Sequence, residues 1–439
     1  MHRLARESAP WLPAALAGSA ITGWFGLRYM AWGGDYEHEA RPAFEALAHG
    51  HLTRFLQLVP AYGGSLVERA PFALIPDIWG GGEEAVYSLV ALPCLLAAAL
   101  LAVWLIPRIR ARQGSNPAMI ATLCLCVLNP VTLKALELGH PEELLGAVLC
   151  VVAVLLAQRD RPLWAGIVLG LAIANKEWAL LAIGPVLLAL PSRRIMCLLG
   201  GAGAAGAVLA PLVLVGGGGF VTGAKATAAT TSAIFQPMQV FWFLGHHGLQ
   251  ANLLPSRLKH DYRIAPAWIG PLSHPLVIAV GVPLTALLWR GRAHSDQTLG
   301  QAPAGADAEQ HRRGGAGAAR RPADALLLLS ALLLLRCMLD TWDNVCYFLP
   351  FLFALLAWET ETLRRPPVLA LSGTALVWLN VWLAGRVSAD AQAAFFLVWS
   401  LPFAAALGLR LYLPGRRLLQ RRPRRPALEG RLAVSQPGR

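Results

Sequence analysis

The chain is a succession of apolar runs too long and too numerous for a soluble core. They lie near 11–32, 85–107, 117–136, 142–157, 163–174, 178–190, 195–215, 271–289, 325–339, 345–358, 367–384 and 391–413. A membrane helix needs ~20 apolar residues, and about 17 at the short end. The pattern predicts an all-α polytopic integral membrane protein of about twelve transmembrane helices. Composition agrees, with 56% hydrophobic and 14% charged residues, where soluble domains carry about 25% charged. The net charge of +13 does not read as nucleic-acid binding, because the arginines sit in short connections and in the tail, with no aromatic-interleaved basic patch. The cysteines fall in or beside apolar runs, which suits packing rather than disulfides or metal–thiolate sites.

Charge sets the orientation. With a cytoplasmic N-terminus, the even-numbered spans end at Arg108/Arg110/Arg112, Arg159/Arg161, Arg193/Arg194, Arg290 through Arg321, Arg364/Arg365 and the RRPRRP tail. The opposite connections, 33–84, 137–141, 175–177, 216–270, 340–344 and 385–390, are poor in Arg for their length. Positive-inside bias then places both termini in the cytoplasm of a plasma-membrane protein, with long first and fourth outer loops. Arg3 and Arg6 ahead of the first run fit an uncleaved first span. Four regions follow: an N-terminal membrane module, 1–290; a Gly/Ala-rich flexible linker, 291–324; C-terminal membrane helices, 325–413; and a basic tail, 414–439.

Ionisable residues collect on the outer side. The first outer loop opens GGDYEHEA, where Gly33-Gly34 permits a turn before Asp35, Glu37, His38 and Glu39. The stretch after it has amphipathic helical spacing, and Phe44, Leu47, Leu52, Phe55, Leu56 and Val59 suit the membrane surface. The turn LELGHPEELLG carries Glu137, His140, Glu142 and Glu143. Pro141 at a first helical position and acids in the first turn also fit a plain helix start. The fifth and sixth runs are each too short to cross, and Asn175-Lys176-Glu177 lies between them. Two short helices meeting below the outer surface fit, with Lys176 facing a wet cavity; a structural Lys176–Glu177 pair or a snorkelling lysine is the alternative. The fourth loop holds Phe235, Phe241, Trp242 and Phe243, suited to interfacial anchoring or sugar stacking, and His246-His247, whose adjacency is poor for a metal. Asp340 and Asp343 bracket a short turn, as a supporting site or a solvated one. A transporter or lipid-linked-sugar flippase would place its ionisable residues near the midplane; the one-sided distribution favours an outward-facing active site. A non-catalytic partner of an envelope complex is the third reading.

These features resemble the GT-C superfamily of membrane glycosyltransferases, marked by a carboxylate pair in the first outer loop, here Asp35-Tyr36-Glu37. The chain is most similar to the glycosyltransferase family 87 branch, which is mannosyltransferase-like. The likeness rests on GHPEELLGAVL before the fourth span and GLAIANKEWALL after the fifth, with TWDNVCYFLPFL as a later aromatic span. It covers mainly residues 20–190, and Glu177 stands where relatives commonly have Pro.

The resemblance implies a hexosyltransferase that moves a hexose, mannose favoured, from a polyprenyl-phosphate sugar to a cell-envelope glycan or lipid, with inversion. Asp35 with Glu37 or Glu39 would accept the acceptor's proton. Lys176 and His140 would meet the donor phosphate. Glu39, Glu142, Glu143, His246, His247 and Asp343 would bind sugar or acceptor. No cofactor is required and no metal ligands are assigned, although a divalent metal is compatible. A nucleotide-sugar donor would need a cytoplasmic domain of a size the sequence does not provide.

Overall fold

The computed structural model describes residues 9–32, 34–60, 63–233, 235–248, 250–251, 258–259, 262–300, 308–342 and 344–413. Arg3, Arg6, Gly33, Asp343 and the 414–439 tail lie outside the described residues. The protein is a helical bundle. Among the described residues, six helical segments are long and apolar enough to cross a membrane: Glu83–Ala111, Asn116–Glu137, Arg194–Gly217, Ile269–Gly291, Val345–Thr362 and Ala389–Tyr412. The outer faces of several present Ile195, Leu199, Leu214 and Val398 as exposed side chains, which suits lipid rather than water.

α1 (Leu12–Arg28) leads to a π-helical turn, Tyr36–Ala40, and three short helices: α2 (Arg41–Ala48), α3 (Leu52–Leu58) and α4 (Gly64–Ala73). The amphipathic face read for the membrane surface is instead packed on protein. Phe44, Leu47, Phe55, Leu56 and Val59 are buried with Leu66, Tyr87 and Leu212, and only Leu52 remains exposed. A concave bundle edge offers these side chains tighter contact than a fluid bilayer does.

α5 (Glu83–Ala111) begins with Glu83 and Glu84 and ends with Arg108 and Arg110, each placed to favour the helix dipole. The next apolar run breaks at Asn129. α6 (Asn116–Val127) ends there, and the Asn129 side chain accepts from the Val131 amide to start α7 (Pro130–Glu137). α8 (Pro141–Ala157) and α9 (Pro162–Asn175) follow. A 3-10 turn, Glu177–Ala182, and the short α10 (Ile183–Ala189) complete the broken sixth run. Lys176 has extended backbone, φ −154° and ψ 135°, so the helix does break there.

α11 spans Arg194–Ala233 with a break at Gly217, φ 53° and ψ −138°. The fourth outer loop, expected from residue 216, is thus helical as far as Ala233. α11 packs on α9 through small residues. A Cβ on Gly166 would come within 2.0 Å of the Cys197 carbonyl oxygen, and one on Gly170 within 2.2 Å of that of Gly201. Such close backbone approach is how membrane helices gain contact without a hydrophobic driving force.

α12 runs Ile269–Gly300 and α13 runs Ala308–Leu339. The segment expected as a flexible linker, 291–324, is therefore helical at both ends, in keeping with the high helix propensity of its alanines. α14 (Leu349–Thr362) is buried on nearly every side and forms the centre of the bundle, with α15 (Val368–Leu383) and α16 (Ala389–Tyr412) beside it. The expected spans at 11–32, 142–157, 163–174, 178–190 and 367–384 fall on shorter helices, and the one at 325–339 is the C-terminal part of α13.

Candidate active site

The GH turn and the DYE turn are brought together by glycine and aromatic packing. Gly139 has φ 85°, and a Cβ there would lie 2.8 Å from the Tyr36 Cβ, so the position requires glycine twice over. The Ala31 amide donates to the Glu137 carbonyl at 2.8 Å. The Tyr87 hydroxyl donates to the Leu136 carbonyl at 2.5 Å, and its ring meets Tyr36 edge-on at 4.7 Å.

His140 is the junction. Its Nε2 lies 2.8 Å from Asp35 Oδ2 and its Nδ1 lies 3.0 Å from Glu142 Oε1. Two carboxylate acceptors require both ring nitrogens to donate, which is the imidazolium form. Burial alone would lower the His140 pKa, but the hydrogen bonds to Asp35 and Glu142 outweigh it and raise it to about 10. The Asp35 side chain is 42% exposed and that of His140 only 7%. Asp35 is therefore the outward end of the pair.

Behind His140 lies a buried ionic frame. Arg69 Nη2 donates to Glu142 Oε2 at 3.1 Å, and Lys176 Nζ stands 3.4 Å from both Glu142 and Glu143. Trp178 Nε1 donates to Glu143 at 3.1 Å, and Asn175 Nδ2 donates to the Glu142 carbonyl at 2.9 Å. Arg336 stacks on Tyr347 and Trp178, with centroid distances of 4.6 and 5.8 Å, and its guanidinium is 3.8 Å from Asp340. Charges removed from water persist only where partners surround them in this way.

The sequence-selected residues divide accordingly. Asp35, Glu39, His140, Glu142, Glu143 and Lys176 form one cluster. Glu39 lies within reach of the charges of Asp35, His140, Lys176 and Glu142, and burial followed by Asp35 raises its pKa to about 7. Glu37, on the same turn, is within reach of Arg41. Glu142 and Glu143, expected to line a sugar cavity, are instead buried and paired, because helix α8 starts inside the bundle with cations on both sides. Lys176, expected in an open cavity, is likewise buried between them. Glu137 pairs with Lys134 at 2.5 Å.

His246 and His247 are exposed on a two-residue strand, β1 (His246–His247), paired with Arg263 and Ile264. His247 is 3.9 Å from Asp390, which Arg263 and Trp242 also bind. This knot ties the fourth loop to α16. Phe235 and Trp242, read as anchors or sugar platforms, stack on each other at 5.3 Å as buried core. Asp340 is buried between Arg336 and His274. Among the described residues, no group of three or more His, Cys, Asp or Glu is arranged to hold a metal ion.

Sequence reasoning missed Arg69, Trp178, Arg336 and Tyr347. Arg336 carried a usable signal, a lone charge inside LLLLRCML. Arg69 carried none, since it meets Glu142 across 73 positions.

No curated protein and no solved structure matches the chain. A profile of glycosyltransferase family 87 matches residues 64–304, more than half of the sequence and well beyond the 20–190 stretch that carried the resemblance. The match includes Arg69, His140, Glu142, Glu143 and Lys176, whereas Asp35 precedes it. The chain, an apolar helical bundle with a buried ionic frame beneath an exposed carboxylate, belongs to glycosyltransferase family 87.

Proposed function

We propose that this membrane glycosyltransferase moves a hexose, mannose favoured, from a polyprenyl-phosphate sugar to a cell-envelope glycan or lipid, with inversion. The reaction takes place on the outer face of the plasma membrane, in a chain of about twelve spans with both termini cytoplasmic. The observation that carries the reading is His140, held as an imidazolium between exposed Asp35 and buried Glu142. That arrangement fixes the Asp35 carboxylate in direction while leaving it open to an acceptor hydroxyl.

Asp35, or Glu39 four residues on, takes the hydroxyl proton as the oxygen attacks the sugar's anomeric carbon. The bond from that carbon to the carrier phosphate breaks with its electron pair on the phosphate oxygen. Arg69, His140 and Lys176 gather around Glu142, and His140 and Lys176 are the cations that would meet the developing phosphate charge. Glu142 and Glu143 hold these cations in place.

The test is transfer by membranes carrying matched amounts of wild type or Asp35→Asn. Radiolabelled mannose is supplied on polyprenyl phosphate or, separately, on GDP with carrier synthesis blocked. The expected result is transfer from the lipid donor alone, reduced at least about 100-fold in the variant. Equal transfer by the variant would remove Asp35 from the mechanism.

A further inference from the structure

A groove of about 580 Å³ lies away from the Asp35–His140 cluster, between the 3-10 turn with α10, α12 and α13. Its wall on α12 is Ile278, Val282, Thr285 and Trp289, spaced three or four residues apart and so on one helix face. Leu332 faces them from α13 and Gly184 from α10. The Thr285 hydroxyl, the polar group along this wall, donates to the Gly281 carbonyl at 2.9 Å, which leaves the lining apolar. Val282 is 62% exposed, so the groove opens sideways to the bilayer.

The two ends of the groove differ in charge. Toward the outer end of the same helices, His274 and Arg336 are already met by Asp340 at 3.6 and 3.8 Å. At the other end, Arg290 lines the groove, and the Arg194 guanidinium lies 4.2 Å from the Trp289 ring centre. Arg194 is held there by donating to the Leu187 and Leu190 carbonyls at 3.1 and 3.3 Å. Among the described residues no carboxylate pairs with Arg194 or Arg290. An apolar trough ending in a tryptophan and two arginines without acidic partners complements one acyl chain and one phosphate.

We propose that this groove is a binding site for an anionic glycerophospholipid of the surrounding membrane. Its acyl chain lies along Ile278, Val282 and Leu332, and its phosphate sits at Arg290 and Arg194 beside Trp289. The Arg–Trp grouping is the one that anchors proteins at the headgroup level of a bilayer, here turned inward onto a single lipid. The site does not depend on the reading of the Asp35–His140 cluster.

The test is native mass spectrometry of the full-length chain, released into detergent from vesicles of equal phosphatidylglycerol and phosphatidylcholine with matched acyl chains. We expect one phosphatidylglycerol retained in preference to phosphatidylcholine. Arg290→Gln lowers that retention about fivefold, the effect of one cation at a lipid surface. Val282→Trp fills the open rim and abolishes retention, and both variants stay monodisperse. Equal retention of the two lipids, or retention unchanged in both variants, overturns the proposal. A separate arm adds polyprenyl phosphate. If that lipid displaces phosphatidylglycerol from the wild type and is held equally by Arg290→Gln, the groove belongs to an isoprenoid chain and the proposal fails.

Discussion

His140 has a carboxylate on each ring nitrogen, so its charge is built into the site rather than set by the medium. Glutamine keeps the approximate size of the ring but neither the charge nor the two-ended donor geometry. His140→Gln is expected to lower transfer at least about 100-fold, read in the same membrane assay. Glu39 gives a different signature. With a pKa raised to about 7 by burial and by Asp35, it is protonated below neutrality and becomes a base above it. If Glu39 takes the proton, kcat/KM rises through about pH 7 and Glu39→Gln loses that limb; an unchanged profile leaves Asp35 alone in the role.

Glu68 is the converse case, a carboxyl with no visible task. Among the described residues neither of its oxygens has a hydrogen-bond partner, and burial raises its pKa from 4.5 to about 8, against the opposing charge of Arg69. A carboxyl with a folded pKa above its unfolded value binds its proton more tightly when folded. Its contribution to stability is complete below pH 4.5 and is lost as pH rises through about 8. Wild type should therefore lose melting temperature between about pH 5 and pH 8, and Glu68→Gln should lose less over the same interval.

Among the elements, the contact between α9 and α11 depends most on the absence of side chains. Gly166→Val places a branched side chain where the Cys197 carbonyl now lies. The helices must separate, with an expected loss of about 1–3 kcal/mol, seen as a lower melting temperature in detergent. Because α9 ends at Lys176, the same variant should reduce transfer as well.

At this scale the sequence was partly legible. The break at Lys176 showed because neither neighbouring run was long enough to cross, and the turn at Gly139-His140 showed because ionisable residues crowd a short connection. The burial of α2 and α3 did not show. An amphipathic helix has the same periodicity whether its apolar face meets lipid or protein, and only the partners, Tyr87 and Leu212, decide between them. The helix beyond Gly217 was hidden for a related reason: four consecutive glycines suggest a loop unless the chain on either side holds a helical register. Arg69 and Arg336 were invisible as site residues because their partners lie on other elements.

For the whole molecule, arginine placement gives an orientation that labelling can check. Leu52 and Arg110 are both exposed and lie on opposite sides in the proposed topology. An impermeant thiol reagent on intact cells should modify Leu52→Cys and reach Arg110→Cys only after permeabilisation. Six of the seven native cysteines are buried, which keeps the background low. Labelling of Arg110→Cys from outside, with Leu52→Cys reached only after permeabilisation, would reverse the assignment of faces.

The ionic frame also bears on how the protein is made. Synthesis proceeds from the N-terminus, so Asp35 and Arg69 leave the ribosome before His140 and Glu142, and Lys176 emerges later still. Until α9 has been delivered, the acidic start of α8 has received only part of its neutralising charge, and water must supply the remainder. The Asp35 turn thus waits at the surface as an unfinished piece. The site becomes whole only when a lysine more than a hundred residues downstream enters the bundle. A nascent chain interrupted before that point would hold Glu142 with Arg69 and His140 alone, and Glu143 without its lysine.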